Sequence, residues 1–109
     1  MRRAKVLYKG QEAGELIQED SGAFVFRYLP QWLENGSLPA ISLTLPKNKL
    51  EYRSDHLFPF FYHMLPEGVN REIVSKALRV DKDDHFGLLL NTASNDTIGA
   101  VQLRKVGDL

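Results

Sequence analysis

Apolar and polar residues along this chain change rhythm about halfway. Ala4 to Tyr8, Gly14 to Gln18 and Ala23 to Tyr28 read as short strands, with Lys9-Gly10 and Asp20-Ser21-Gly22 as the breaks between them. Turn residues between short extended runs predict an antiparallel meander. In the third run Phe24 and Phe26 alternate with Val25 and Arg27, which gives one strongly aromatic face suited to covering a core. Pro30 to Glu34 is too short for an independent helix and stops at Asn35-Gly36, so it predicts a single turn carrying Trp32 and Leu33 inward. Ile41, Leu43 and Leu45 alternate with Ser42 and Thr44, a spacing that predicts a half-buried strand ended by Pro46. Lys47-Asn48-Lys49 then predicts an exposed loop before Tyr52.

Beyond His56 the spacing becomes helical. Leu57, Phe60, Phe61 and Met64 suit a short helix, with Asp55 placed to cap it and Pro59 tolerated in its first turn. Leu65-Pro66-Glu67-Gly68 interrupts that helix. Asn70 to Arg79 predicts a second one, whose stripe of Ile73, Val74, Ala77 and Leu78 is expected to face the sheet. Asp83 or Asp84 is placed to cap a third helix through Phe86, Leu88, Leu89 and Leu90, whose apolar density predicts deep burial, and Asn95-Asp96 closes it. Ile98 to Leu103 supplies a last strand, with Gly99 allowing a bulge or a close backbone approach. The predicted fold class is α+β: a small antiparallel sheet of about five short strands packed with about three helices, residues 1–109 forming one domain.

Composition narrows the chemistry. The chain has 109 residues, 43% hydrophobic and 26% charged, which suits one globular domain and leaves no room for a two-lobed enzyme. Fourteen basic residues balance fourteen acidic ones, so no domain-wide positive field gathers phosphates, and direct nucleic-acid binding is disfavoured. Arg2, Arg3, Lys5, Arg104 and Lys105 read as scattered surface charge. No cysteine is present, which excludes disulfides, thiolate metal sites and cysteine nucleophiles. No run approaches the ~20 apolar residues of a membrane span, and the first nine residues lack a signal-peptide pattern, so a cytoplasmic location is expected.

Several constellations imitate active sites. Asp84-His85-Phe86-Gly87 resembles the kinase magnesium motif, but there aspartate directly precedes Phe-Gly, and no phosphate loop or catalytic-loop pair accompanies it here. Asp81, Asp83, Asp84 and Asn91 sketch a calcium loop, yet its glycine and glutamate places hold Phe86 and Thr92. His56 and His63 sit seven apart without a third ligand nearby, and Ser54-Asp55-His56 are consecutive, a poor arrangement for convergence on one reacting atom. The expectation is therefore no catalytic residue, no metal and no cofactor. Trp32 and the run Phe58, Phe60, Phe61, Tyr62 are expected chiefly in the core.

Taken in order, Phe26-Arg27-Tyr28-Leu29-Pro30-Gln31-Trp32-Leu33, Ile41-Ser42-Leu43-Thr44-Leu45-Pro46, Phe58-Pro59-Phe60-Phe61-Tyr62-His63-Met64-Leu65-Pro66-Glu67-Gly68, Asp84-His85-Phe86-Gly87-Leu88-Leu89 and Ile98-Gly99-Ala100-Val101-Gln102-Leu103 resemble the HipA N-terminal subdomain family over nearly the whole chain. In larger HipA-like proteins a Ser/Thr kinase core follows this subdomain and a DNA-binding partner, HipB, holds it. A free-standing copy resembles the HipS-type antitoxins of tripartite HipBST systems, which neutralise the truncated kinase HipT. The resemblance implies an antitoxin that docks on a HipT-like kinase as its missing subdomain, with a HipB-like helix-turn-helix repressor as a further partner in a ternary complex. A non-inhibitory scaffold joining kinase to repressor is the alternative. The segment expected to meet the kinase is Leu65, Pro66, Glu67, Gly68 and Val69, because a proline-stiffened turn loses little entropy on docking. Val69 stands where some relatives carry an aromatic residue, which shifts the expected contact toward Glu67 and the backbone.

Overall fold

A computed structural model describes residues 1–65, 69–81, 83–92 and 100–106. Five strands, β1 (Arg2–Tyr8), β2 (Gln11–Gln18), β3 (Phe24–Tyr28), β4 (Glu51–Ser54) and β5 (Val101–Lys105), form one sheet in the order β4-β3-β2-β1-β5, every neighbouring pair antiparallel. Four helices accompany it: α1 (Pro30–Glu34), α2 (Pro59–Tyr62), α3 (Val69–Leu78) and α4 (His85–Thr92). The fold is α+β as expected, and the meander β1-β2-β3 follows the predicted runs. Lys9 and Gly10 both take positive φ, 50° and 83°, the pairing a two-residue hairpin needs to match the strand twist.

The two faces of the sheet differ in kind. On the inner face Ala4, Val6, Leu16, Phe26, Tyr28 and Leu103 are buried beneath the helices. Phe61 of α2 lies 5.9 Å from the Phe26 ring, and Phe26 meets Tyr28 edge-on at 4.8 Å. On the outer face charges pair across strands: Arg3 with Glu15 at 2.7 Å, Lys5 with Glu12 at 2.9 Å, Arg27 with Glu51 at 2.6 Å and Arg53 with Glu19 at 2.5 Å. These cross-strand pairs neutralise much of what reads as loose surface charge in the sequence. Glycine matters at one place within the sheet. A Cβ on Gly14 would stand 2.5 Å from the Arg27 carbonyl oxygen and 3.0 Å from the Phe26 ring, so only glycine lets β3 approach here.

The strand predicted over Ile41 to Leu45 is not formed; the fourth strand is Glu51–Ser54. Ile41 and Leu45 are buried, but Leu43 is 99% exposed. The Tyr28 hydroxyl replaces a ladder partner, accepting from the Ile41 N–H at 3.1 Å and donating to the Leu45 carbonyl. Ser42 closes the turn, its hydroxyl accepting from the Thr44 N–H at 3.1 Å while the Leu45 N–H bonds the Ser42 carbonyl at 3.1 Å. Lys47 braces the stem by donating to the Asn35 and Leu38 carbonyls at 2.6 and 2.7 Å, and Trp32 donates to Pro39 at 2.9 Å. Burial pushes the Tyr28 hydroxyl pKa up, while the bond from Ile41 opposes this.

Candidate functional site

Leu65, the first residue of the segment Leu65 to Val69, follows an aromatic part of the core. Phe58 precedes α2 and Pro59 opens it, where the missing N–H of proline costs nothing. Asp55 does not cap this helix, since Phe58 occupies the cap position. Phe61 is fully buried, with Phe60 at 5.2 Å and Phe58 at 6.3 Å, so the short helix is held by packing more than by its few hydrogen bonds. The Leu65 N–H donates to the Tyr62 carbonyl at 3.1 Å, and its side chain is 4% exposed. Leu65 thus serves the segment as an inward anchor. Val69 opens α3, while Pro66, Glu67 and Gly68 lie outside the described residues.

α3 departs from expectation. Its stripe does not face the sheet: Ile73 is 60% exposed and Leu78 40%, Ala77 is exposed, and the side chains turned inward are Val74, half-buried, and Ser75, buried. The helix is rotated so that only one flank of the stripe meets the body. Ser75 satisfies its hydroxyl within the helix, donating to the Glu72 carbonyl at 3.0 Å. The helix ends with Arg79 in the left-handed region, φ 57°, and Val80 bonding back to the Ser75 carbonyl at 2.9 Å, a closure usually given to glycine. At the other end, Arg71 lies over the Tyr62 ring at 5.2 Å and donates to its hydroxyl at 3.3 Å. Tyr62 in turn meets His85 edge-on at 5.2 Å.

Beside this stack a cleft of about 360 Å³ runs between the start of β3 and the start of α4, walled by Phe24, Leu57 and Phe86 and rimmed by His56, Asp83 and His85. Asp84 is the cap of α4, as expected, accepting from the Gly87 N–H at 3.2 Å. It also holds Arg2 by two bonds, 2.9 and 2.7 Å, and the Arg2 guanidinium lies 5.1 Å from the centre of the Phe86 ring. Hydrogen bonding from Arg2 holds the Asp84 carboxyl below the ordinary aspartate range, with partial burial opposing it. The kinase-like tetrad is therefore a structural joint. Its aspartate caps and ties, Phe86 is 1% exposed in the core, and a Cβ on Gly87 would collide with the Asp84 carboxylate.

The other imitations dissolve similarly. Asp81 accepts from the Asp83 N–H at 2.9 Å in a local turn, and Asn91 donates to the Gly87 carbonyl at 2.7 Å. His56 precedes α2 and His63 follows it, so they share no helix face, and the Ser54 hydroxyl accepts from the His56 N–H at 3.2 Å. Among the described residues no three of His, Asp and Glu are placed to hold a metal ion, and no helix is long and apolar enough to cross a membrane. Sequence reasoning missed the Arg71, Tyr62 and His85 stack and the Arg2–Asp84 pair. Neither carries a local signal, since the partners come from separate elements.

Residues 4–104 match the family described as HipA N-terminal domain. Among solved structures, the N-terminal domain of HipA toxin is similar with a TM-score of 0.73 and 30% identity, covering 100% of this chain and 96% of that one. An uncharacterized protein of Haemophilus influenzae is 35% identical over 105 residues, 96% of this chain and 93% of that protein. A putative kinase of Sinorhizobium fredii, Y4mE, is 31% identical over 103 residues, and there the match spans 94% of this chain but only 24% of the relative.

Proposed function

Since the chain belongs to the HipA N-terminal domain family, we propose that it is an antitoxin that binds and neutralises a HipT-like Ser/Thr kinase, docking as the N-terminal subdomain which that kinase lacks. The observation that carries this reading is the uneven coverage of the relatives. The same unit makes up 24% of a putative kinase and 93% of the Haemophilus influenzae protein. A unit that is one part of a kinase in one relative and nearly the whole of another is suited to being supplied separately. The domain itself is read as non-catalytic: the aspartate that imitates a magnesium ligand is engaged with Arg2 and with the start of α4.

Docking is assigned to the segment Leu65, Pro66, Glu67, Gly68 and Val69. Leu65 is its buried foot, α2 gives it a rigid stem, and the exposed Ile73 on the following helix supplies apolar surface close in sequence. A proline-stiffened turn between a buried residue and a helix loses little freedom when a partner closes over it. Glu67 and the backbone of the segment are proposed to meet the kinase beside its active site.

Phosphorylation of an aminoacyl-tRNA synthetase by the purified kinase, followed with and without this chain, tests the proposal. Inhibition at saturating complex is the expected result. Undiminished phosphorylation in a complex that still forms would leave a scaffold between kinase and HipB-like repressor. Glu67→Ala and Val69→Ala, made separately, test the segment; unchanged affinity and inhibition for both would remove it from the mechanism.

A further inference from the structure

Among the described residues of α3, few side chains are turned to the body. Ser75 is its buried side chain, Val74 is half-buried, and the polar groups of its first turn lie near the surface. An amphipathic helix with three of its four stripe residues outside needs another tether, and one is present. The guanidinium of Arg71 stacks on Tyr62 at 5.2 Å and donates to its hydroxyl at 3.3 Å, linking residues nine apart across the interruption between α2 and α3. The Tyr62 ring stands at 83° to His85, 5.2 Å away, so the first turn of α4 backs the pair. Tyr62 itself is fixed through its own N–H, which bonds the Phe58 carbonyl at 2.9 Å, and through its neighbour Phe61 in the core.

We infer that Arg71 and Tyr62, with His85 edge-on behind the ring, are positioning residues for partner binding: a cluster that sets α3 at the angle a partner meets. This rests on the antitoxin reading for the identity of the partner, but the positioning is a property of the chain alone. A cation over an aromatic ring at a partly exposed site contributes modestly, enough to change the population of a docked helix by roughly two- to fivefold. Planarity of the guanidinium matters, because it stacks and donates at once, which the lysine ammonium does not do.

Two measurements separate this inference from the reading it builds on. Amide hydrogen exchange of the free chain compares wild type with Arg71→Ala, Tyr62→Leu and Tyr62→Phe. Faster exchange in α3, by roughly two- to fivefold, is expected for the first two with β1 to β3 unchanged, whereas Tyr62→Phe keeps the ring, loses only the accepting hydroxyl and falls between them and wild type. Equal exchange in all four proteins overturns the stack as a tether. Affinity for a purified HipT-like kinase should fall by a similar factor in the same two variants and by less in Tyr62→Phe. If exchange rises and affinity does not move, α3 is held by the stack but its angle is irrelevant to the partner, and the positioning role is overturned while the antitoxin reading stands. If wild type does not bind the kinase at all, the antitoxin reading fails, and with it the positioning role, whether or not exchange shows a tether.

Discussion

β3 and the stripe of α3 from Ile73 to Leu78 each carry four apolar residues in a short span, and the fold treats them in opposite ways. Phe24, Val25, Phe26 and Tyr28 are all buried, although Val25 points to the outer face. Of Ile73, Val74, Ala77 and Leu78, only Val74 is turned substantially inward. The difference lies in their neighbours. β3 is flanked by β2 and β4, roofed by α2, and has the ion pairs of Arg27 with Glu51 and Arg53 with Glu19 on the face of Val25. α3 meets the body along one flank. Hydrophobic periodicity states that a face can be buried, and the number of elements surrounding it decides whether it is.

The largest effect expected from this contrast is at Phe26. Phe26→Ala should cost about 3–5 kcal/mol in urea unfolding, because the ring is enclosed by Tyr28 and Phe61 and no neighbour can close the gap. A cost under about 1 kcal/mol would mean that the inner layer is loosely packed and would erase the comparison. Tyr28→Phe keeps the ring but strands the Ile41 N–H and the Leu45 carbonyl, and should cost about 1–3 kcal/mol. Amide exchange at Ile41 should rise with it.

Asp84→Asn tests the joint between β1 and α4. With both partners more than a third exposed or nearly so, solvent screening keeps the expected cost to about 1 kcal/mol at neutral pH. The carboxyl pKa is lowered in the fold, so its contribution is complete above the unfolded aspartate value, about 3.9, and is lost as pH falls through the folded one. The stability gap between wild type and Asp84→Asn should therefore shrink in acid below about pH 4. A gap that widens in acid would contradict the pairing with Arg2. Ile73→Ala is expected to have the smallest effect on stability, within about 0.5 kcal/mol, since its side chain is largely in solvent. A loss above about 2 kcal/mol would show that this face of α3 is packed after all.

Where the sequence was readable, one neighbour sufficed to explain each element. The meander follows from alternation punctuated by glycine turns, and Asp84 before an apolar run marks the cap of α4. Ile41, Leu43 and Leu45 misled because alternation cannot separate a strand from a turn with two inward anchors and one outward tip. What decided it was the Tyr28 hydroxyl, seventeen positions from Leu45. β4 was invisible for the converse reason: Glu-Tyr-Arg-Ser has no apolar alternation, and its place in the sheet is its antiparallel ladder with β3, with Tyr52 against the core and Glu51 and Arg53 paired to Arg27 and Glu19. Periodicity pointed to the α+β class, and the family resemblance together with a proline-stiffened turn pointed to the segment expected to meet the kinase. It did not indicate the Arg71 stack beside that segment, because residues 62, 71 and 85 converge only once α2, α3 and α4 have packed.

The pairing of β1 with β5 has a consequence in time. Ala4 faces Lys105 and Tyr8 faces Val101, so one side of the first strand waits for residues almost a hundred positions later. During synthesis the meander can form early from local contacts, while that edge stays open with its backbone groups unpaired. The late strand also brings Leu103 and Val101 into the core beside α4. A nascent chain completes this sheet only once β5 has been made, and until then the open edge of β1 is the place where a wrong partner would pair.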